Sequence, residues 1–278
     1  MNLLKCILTE NECYKTKQTI TPKGVMVHST GANNPNIKRY VQPLDHDVAG
    51  AYEPDRDELL KLLGVNANAN DWNHTDREAC VHAFIGRLAD GSVASCQTLP
   101  WNWRGWHAGG AANNTHISFE ICEDDLTDPD YFSQVYREAV ELTAYLCRQY
   151  GLDPLADGVV ICHQEGYQRG VAANHADVLN WFPKMGKSMD DFRSDVAAQL
   201  APKPEPEPEP ETETEPEPEK EDDMVCYQTL DDVPEYYRPT VEKLARSGAL
   251  KGTKADTLNV SEDFCRVMTV LDRLGKLD

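Results

Sequence analysis

Three of the eight histidines in this 278-residue chain stand at or just after the end of an apolar run. His28 closes Gly24-Val25-Met26-Val27-His28, and His163 closes Gly158-Val159-Val160-Ile161-Cys162-His163. His175 follows in the loop that His163 opens, two residues before Asp177. Strand ends that run into loops are where a rigid scaffold presents side chains to a ligand. Imidazoles joined by one carboxylate form the donor set of a catalytic zinc site, in which three protein ligands leave a fourth position for water. Spacing alone leaves the structural alternative open for each of them, because a lone histidine is most often a satisfied structural residue.

The elements that must position these residues follow from hydrophobic periodicity. Ile20 to Ser29 reads as a buried strand that runs into a turn at Thr30-Gly31-Ala32-Asn33-Asn34-Pro35. Ala79 to Gly86 and Ser92 to Leu99 read as a strand pair joined across Asp90-Gly91, a strong hairpin signal, and Ile117 to Cys122 as a further strand. Phe132, Val135, Tyr136, Val140, Leu142, Tyr145, Leu146 and Tyr150 recur at helical spacing and stop at Gly151, a suitable C-terminal cap. Residues 158–163 return to strand, and Met189 to Leu200 closes the region as a helix. The expectation is an α/β domain with a mixed central sheet covered by helices. His46, His74 and His116 are expected at the surface, and His82 as a structural residue or one supporting a metal ligand.

Charge and composition divide the chain. Asp and Glu number 47 against 27 Lys and Arg, for a net charge of −20, which argues against a nucleic-acid binder held by phosphate contacts. Nine of those negative charges fall within 201–223, a run of alternating Pro, Glu and Thr that cannot build a core. It is expected to be a semi-rigid spacer of up to about 70 Å at roughly 3.1 Å per residue. The expected organisation is a catalytic domain over 1–200, the linker over 201–223 and a small helical module over 224–278. In that module Pro234 to Ser247 and Ser261 to Leu274 form two helices connected through Lys251-Gly252-Thr253. No run approaches the roughly 20 apolar residues of a membrane helix, and the N-terminus reaches Glu10 before a signal-peptide core forms. Membrane insertion is not expected, and synthesis in the cytoplasm without a signal peptide is. Nine cysteines without a CxxC pair read as reduced, mostly buried thiols, with Cys6 and Cys13 the one pair close enough for a local bridge.

Four ordered segments carry a family resemblance. Met26-Val27-His28-Ser29-Thr30, Gly105-Trp106-His107-Ala108-Gly109, Ile117-Ser118-Phe119-Glu120 and Val160-Ile161-Cys162-His163-Gln164-Glu165, continuing to His175-Ala176-Asp177, resemble the zinc-dependent N-acetylmuramoyl-L-alanine amidases. The likeness is to the type 2 amidases, which share their fold with peptidoglycan recognition proteins, and it covers roughly residues 15 to 200.

The resemblance implies the type 2 amidase fold and one zinc ion, Zn(II), held by His28, His163 and Asp177. It implies that Glu120 handles the proton of the attacking water, that His175 stabilises the oxyanion, and that His107 lines the substrate groove. The loop from His163 to Asp177 is longer than in the shortest relatives, and Asp177-Val178-Leu179 replaces the usual Asp-Pro-Gly. His175 therefore competes for the third ligand position, and Asp177 is favoured because His-x-Asp repeats the family order of stabiliser then ligand. Trp106 and Arg169 are expected to touch substrate, one through an aromatic face and the other through the stem peptide. The implied activity is cleavage of the amide between N-acetylmuramic acid and L-alanine in peptidoglycan, in the manner of a phage-type endolysin that acts at the bacterial wall after release. The alternative is a non-catalytic muropeptide recognition protein. The C-terminal module weakly resembles wall-attachment modules, with a cell-wall polymer or self-association as its expected partner.

Overall fold

The computed structural model describes residues 1–201, 225–250 and 258–277. The chain forms two compact units, Met1–Lys203 and Pro204–Asp278. The expected linker lies almost wholly outside the described residues, as does the Lys251-Gly252-Thr253 connection.

Seven strands of the first unit make one sheet: β1 (Leu3–Cys6), β2 (Gly24–Ser29), β3 (Tyr52–Glu53), β4 (Ala83–Arg87), β5 (Val93–Gln97), β6 (His116–Ile121) and β7 (Val160–Cys162). Their order is β3-β1-β5-β4-β6-β2-β7. The β4-β6-β2-β7 half is parallel throughout, β5 runs antiparallel to β4, and β3 antiparallel to β1, so the sheet is mixed as the sequence predicts. All six residues of β2 are buried. Its continuous apolar run is what a parallel strand covered on both faces requires.

Helix α3 (Pro129–Tyr150) covers one face. Asp128 caps its start by accepting from the Asp130 and Tyr131 amides, and Gly151 ends it at φ +64°, where a Cβ would be strained. Val25 and Val27 of β2 and Ile117, Phe119 and Ile121 of β6 share the core cluster of Val135, Ala139 and Leu142 of that helix. Side chains alternate along a strand, so Met26 and His28 face away from α3. Met26 there packs with Ala108, Ala112 and Ile161. The remaining helices of this unit are α1 (Glu12–Thr16), α2 (Arg56–Leu63), α4 (His163–Gln168) and α5 (Met189–Leu200).

Three strand boundaries are tighter than the sequence suggests. β2 starts at Gly24 because Pro22 cannot donate to a ladder, β7 starts after Gly158 at φ +76°, and Cys80 bridges Trp106 instead of extending β4. Gly24 is required by close approach: a Cβ there would lie 2.3 Å from the Val159 carbonyl and 2.7 Å from the His116 ring. All nine cysteines are free, Cys6 and Cys13 included, and eight are buried.

The second unit adds to its two helices a two-stranded ladder that the sequence does not suggest. Strand β8 (Cys226–Tyr227) pairs antiparallel with β9 (Val260–Ser261), beside α6 (Arg238–Arg246) and α7 (Glu262–Arg273). Ser261 caps α7 as expected, and Val233, Val241, Val260 and Cys265 form a small core.

Candidate metal centre

The parallel ladder brings the first two residues together without help from their side chains. His28 lies in register with Glu120 on β6, and Val27 with Cys162 on β7, so His163 emerges one residue later at the start of α4. Asp177 arrives from the loop beyond α4 and opens a 3₁₀ turn, 177–180, with its backbone left-handed at φ +45°. Asp is among the few side chains that tolerate that region.

Three atoms converge. His28 Nδ1 and Asp177 Oδ2 are 2.8 Å apart, His163 Nδ1 and Asp177 Oδ2 3.1 Å, and the two Nδ1 atoms 3.1 Å. His28, His163 and Asp177 are together a group that could hold a metal ion. Two imidazole nitrogens and a carboxylate oxygen packed this closely form a set of lone pairs suited to a cation, and the Nε2 of His163 is buried with no hydrogen-bond partner among the described residues. Burial pushes the Asp177 carboxyl up, but the hydrogen bonds to His163 and His28 outweigh it and hold the group well below its ordinary range. Burial lowers His28, with Asp177 opposing.

Glu120 sits beside this group with its Oε2 buried and no hydrogen-bond partner among the described residues. Burial pushes it well above its ordinary value, and the Asp177 and Glu123 charges add to the effect. Glu123 is itself tied to Ser29 Oγ at 2.5 Å, joining the chain beyond β6 to the end of β2. His175 is exposed, its ring 4.7 Å from that of His163 between centroids and tilted by 46°.

His107 has its Nδ1 3.0 Å from His28 Nε2. Trp106 packs half-buried against Cys13, Cys80 and Leu99, and Arg169 makes two hydrogen bonds to Asp157 at 2.7 and 3.0 Å. His116 is buried, not at the surface, with Nε2 donating to the Gly158 carbonyl at 3.0 Å; it begins β6, and its ring fills the space Gly24 leaves. His82 is fully buried, accepting from the Ser118 amide at 3.0 Å and donating to the Trp103 carbonyl at 2.7 Å. Trp101 and Trp103 line a separate cavity of about 400 Å³ with Tyr14 and Tyr150, and no residue of the metal group lines it. Two supporting residues carried no signal in the sequence. Asn113 accepts the amides of His107 and Ala108 at 2.9 and 2.8 Å, and Arg193 holds Glu165, whose carboxylate accepts the Cys162 amide.

Comparison with known families decides the membership. Residues 18–178, more than half of the chain, match the model of the N-acetylmuramoyl-L-alanine amidase family.

The chain belongs to the type 2 N-acetylmuramoyl-L-alanine amidases.

The matched span of this amidase-family chain holds His28, Glu120, His163, His175 and Asp177. No curated protein sequence matches it. Among solved structures it is similar to the Staphylococcus aureus hydrolase AmiA in complex with its ligand, at 18% identity and a TM-score of 0.43 over 70% of this chain and 78% of that one. It is similar also to PlyL, at 18% identity and 0.44 over 70% and 96%, and to the catalytic domain of XlyA, at 20% and 0.42 over 70% and 99%. No helix among the described residues is long and apolar enough to cross a membrane.

Proposed function

We propose that this chain hydrolyses the amide bond between N-acetylmuramic acid and L-alanine in peptidoglycan, with one zinc ion held by His28, His163 and Asp177. The observation that carries the reading is the convergence of His28 Nδ1, His163 Nδ1 and Asp177 Oδ2 within 3.1 Å of one another, beside Glu120 with its buried Oε2, in a chain of this family. Zinc bonds of about 2.0–2.1 Å in a tetrahedral site need ligand separations of roughly 3.3 Å. The observed separations of 2.8, 3.1 and 3.1 Å fall short of that by half an ångström or less.

Bound zinc supplies Lewis acidity, which polarises the scissile carbonyl and lowers the pKa of water from about 15.7 to about 7. The remaining steps belong to this chain's own residues. Glu120 takes the proton of the attacking water on its carboxylate and returns it to the leaving L-alanine amine. Its raised affinity for a proton suits the return step. His175, exposed beside the His163 ring, donates to the developing oxyanion. Outside the catalytic unit, the acidic tether and the C-terminal helix pair attach the enzyme to the wall in the manner of an endolysin tail. Attachment would raise the local concentration of substrate.

The test is release of new L-alanine N-termini from purified peptidoglycan by the full chain, with bound zinc quantified. Wild type should release the amine, and Glu120→Gln should keep zinc while losing about 10²–10⁴-fold in rate. Wild type that holds zinc and binds wall yet releases no amine would overturn the reading in favour of a recognition protein.

A further inference from the structure

We infer that His107 is a positioning residue that keeps the proton of His28 on Nε2 and so leaves Nδ1 of His28 as a ready-made metal ligand. The argument starts from a backbone carbonyl, which can only accept. His107 Nε2 lies 3.3 Å from the His116 carbonyl oxygen, and its Nδ1 lies 3.0 Å from His28 Nε2. With the proton of neutral His107 on Nδ1, the Nε2 lone pair would face the carbonyl lone pairs. The proton therefore sits on Nε2, and Nδ1 of His107 is an acceptor. An acceptor facing His28 Nε2 requires the His28 proton there. The second nitrogen of His28 is then a lone pair, aimed at the corner shared by His163 Nδ1 and Asp177 Oδ2. One carbonyl thus sets two tautomers in series.

The relay is held in place by the chain around it. The His107 and Ala108 amides both donate to Asn113 Oδ1, at 2.9 and 2.8 Å, which fixes the backbone that carries the ring. His116, whose carbonyl ends the series, is the first residue of β6, and its own ring donates to the Gly158 carbonyl. His163 has no such support, since its Nε2 is buried without a partner among the described residues. His28 is therefore the ligand whose proton and orientation the fold dictates. An outer hydrogen-bond partner of this kind orients a metal-binding imidazole and raises its basicity, and loss of the partner typically costs 10–100-fold in metal affinity.

The inference rests on the zinc reading above, and its test separates the two. In the full chain labelled with ¹⁵N-histidine, long-range proton–nitrogen correlation reads the tautomers with or without metal. His28 and His107 should each carry the proton on Nε2 at neutral pH; a proton on Nδ1 of His107 overturns the inference, whatever the zinc measurement gives. Zinc affinity, measured by chelator competition without any substrate, should fall about 10–100-fold in His107→Phe. It should recover to within a few-fold in His107→Gln, whose side-chain oxygen can accept the same bond. A residue that merely filled space would favour Phe over Gln. His107→Phe with wild-type zinc affinity and a raised KM for peptidoglycan would make His107 a groove residue and overturn the inference.

Discussion

His28 and Asp177 meet at 2.8 Å, but different parts of the fold deliver them. His28 lies on a strand hydrogen-bonded on both edges to parallel neighbours, and register alone sets Glu120 beside it. Asp177 lies 14 residues beyond His163, on a loop held by scattered contacts. The Ala173 amide donates to the Ala108 carbonyl at 2.7 Å, that of Val171 to Gly166 at 2.9 Å, and Val178 and Trp181 are fully buried. The strand side gets its geometry from a cooperative ladder, in which no single side chain is decisive. The loop side gets it from local contacts and from the left-handed backbone of Asp177 itself, so each contact counts.

The largest expected effect tests that left-handed residue. Asp177→Ala and Asp177→Gly both remove a proposed zinc ligand, and zinc affinity should fall about 10²–10³-fold in each, roughly a quarter of a total binding energy of about 10–16 kcal/mol. Stability should separate them. Glycine takes φ +45° freely while alanine is penalised by about 1–2 kcal/mol, so the glycine variant should be the more stable in urea unfolding of the zinc-free proteins. Equal stability would mean that the loop relaxes around residue 177, and the contrast between the two sides would lose its basis.

The same contrast explains what could be read from the sequence. An apolar run that ends in histidine announces a candidate ligand at or just after a strand end, so His28 and His163 are visible from local pattern. Glu120 is visible once the register is known, because a strand carries its side chains at fixed intervals. Asp177 has no local signature of its own. The order of family motifs points to it, while its capture depends on contacts from Ala108 and Gly166, which no periodicity encodes. His107 is marked by motif and placed by packing. The Trp-His-Ala-Gly segment marks the residue, but only the packed structure shows its ring against His28, with Trp106 packed among Cys13, Cys80 and Leu99. β1 carries no such signal, because four residues, Leu3-Leu4-Lys5-Cys6, are too few for their alternation to stand out.

A smaller effect probes the strand side through His82, which bridges the Ser118 amide and the Trp103 carbonyl. Burial lowers it from an ordinary 6.5 to about 4, against the opposing pull of those two bonds. A histidine depressed in the folded state gives stability that is fully present above its unfolded value and is lost as the pH falls through the window down to its native one. The loss should run from pH 6.5 to about 4 and amount to about 3 kcal/mol at full separation of the two values. Urea unfolding followed across that window should show the slope in wild type and a flatter one in His82→Gln. Identical slopes would mean that the ring protonates in place, and that this part of the fold is less rigid than its hydrogen bonds indicate.

The smallest effect lies where the two sides join. Arg193 on α5 donates to Glu165 at 3.1 Å and to the Val160 carbonyl at 2.9 Å, and Glu165 accepts the Cys162 amide at 3.0 Å, one residue before His163. This clamp ties the end of β7 to the start of α4, so it braces His163, a proposed ligand just past a strand end, with side chains. Arg193→Ala should cost about 2 kcal/mol, the usual range for partly buried hydrogen bonds to charged groups. Zinc affinity should fall only a few-fold, because the β2–β7 ladder still sets where His163 emerges. Adding Glu165→Gln should recover part of the stability by removing the carboxylate left unpaired, a coupling that a double-mutant cycle measures directly. A zinc loss in Arg193→Ala as large as that of Asp177→Ala would show that the ladder does not hold His163 unaided. Strand and loop would then depend equally on side-chain contacts.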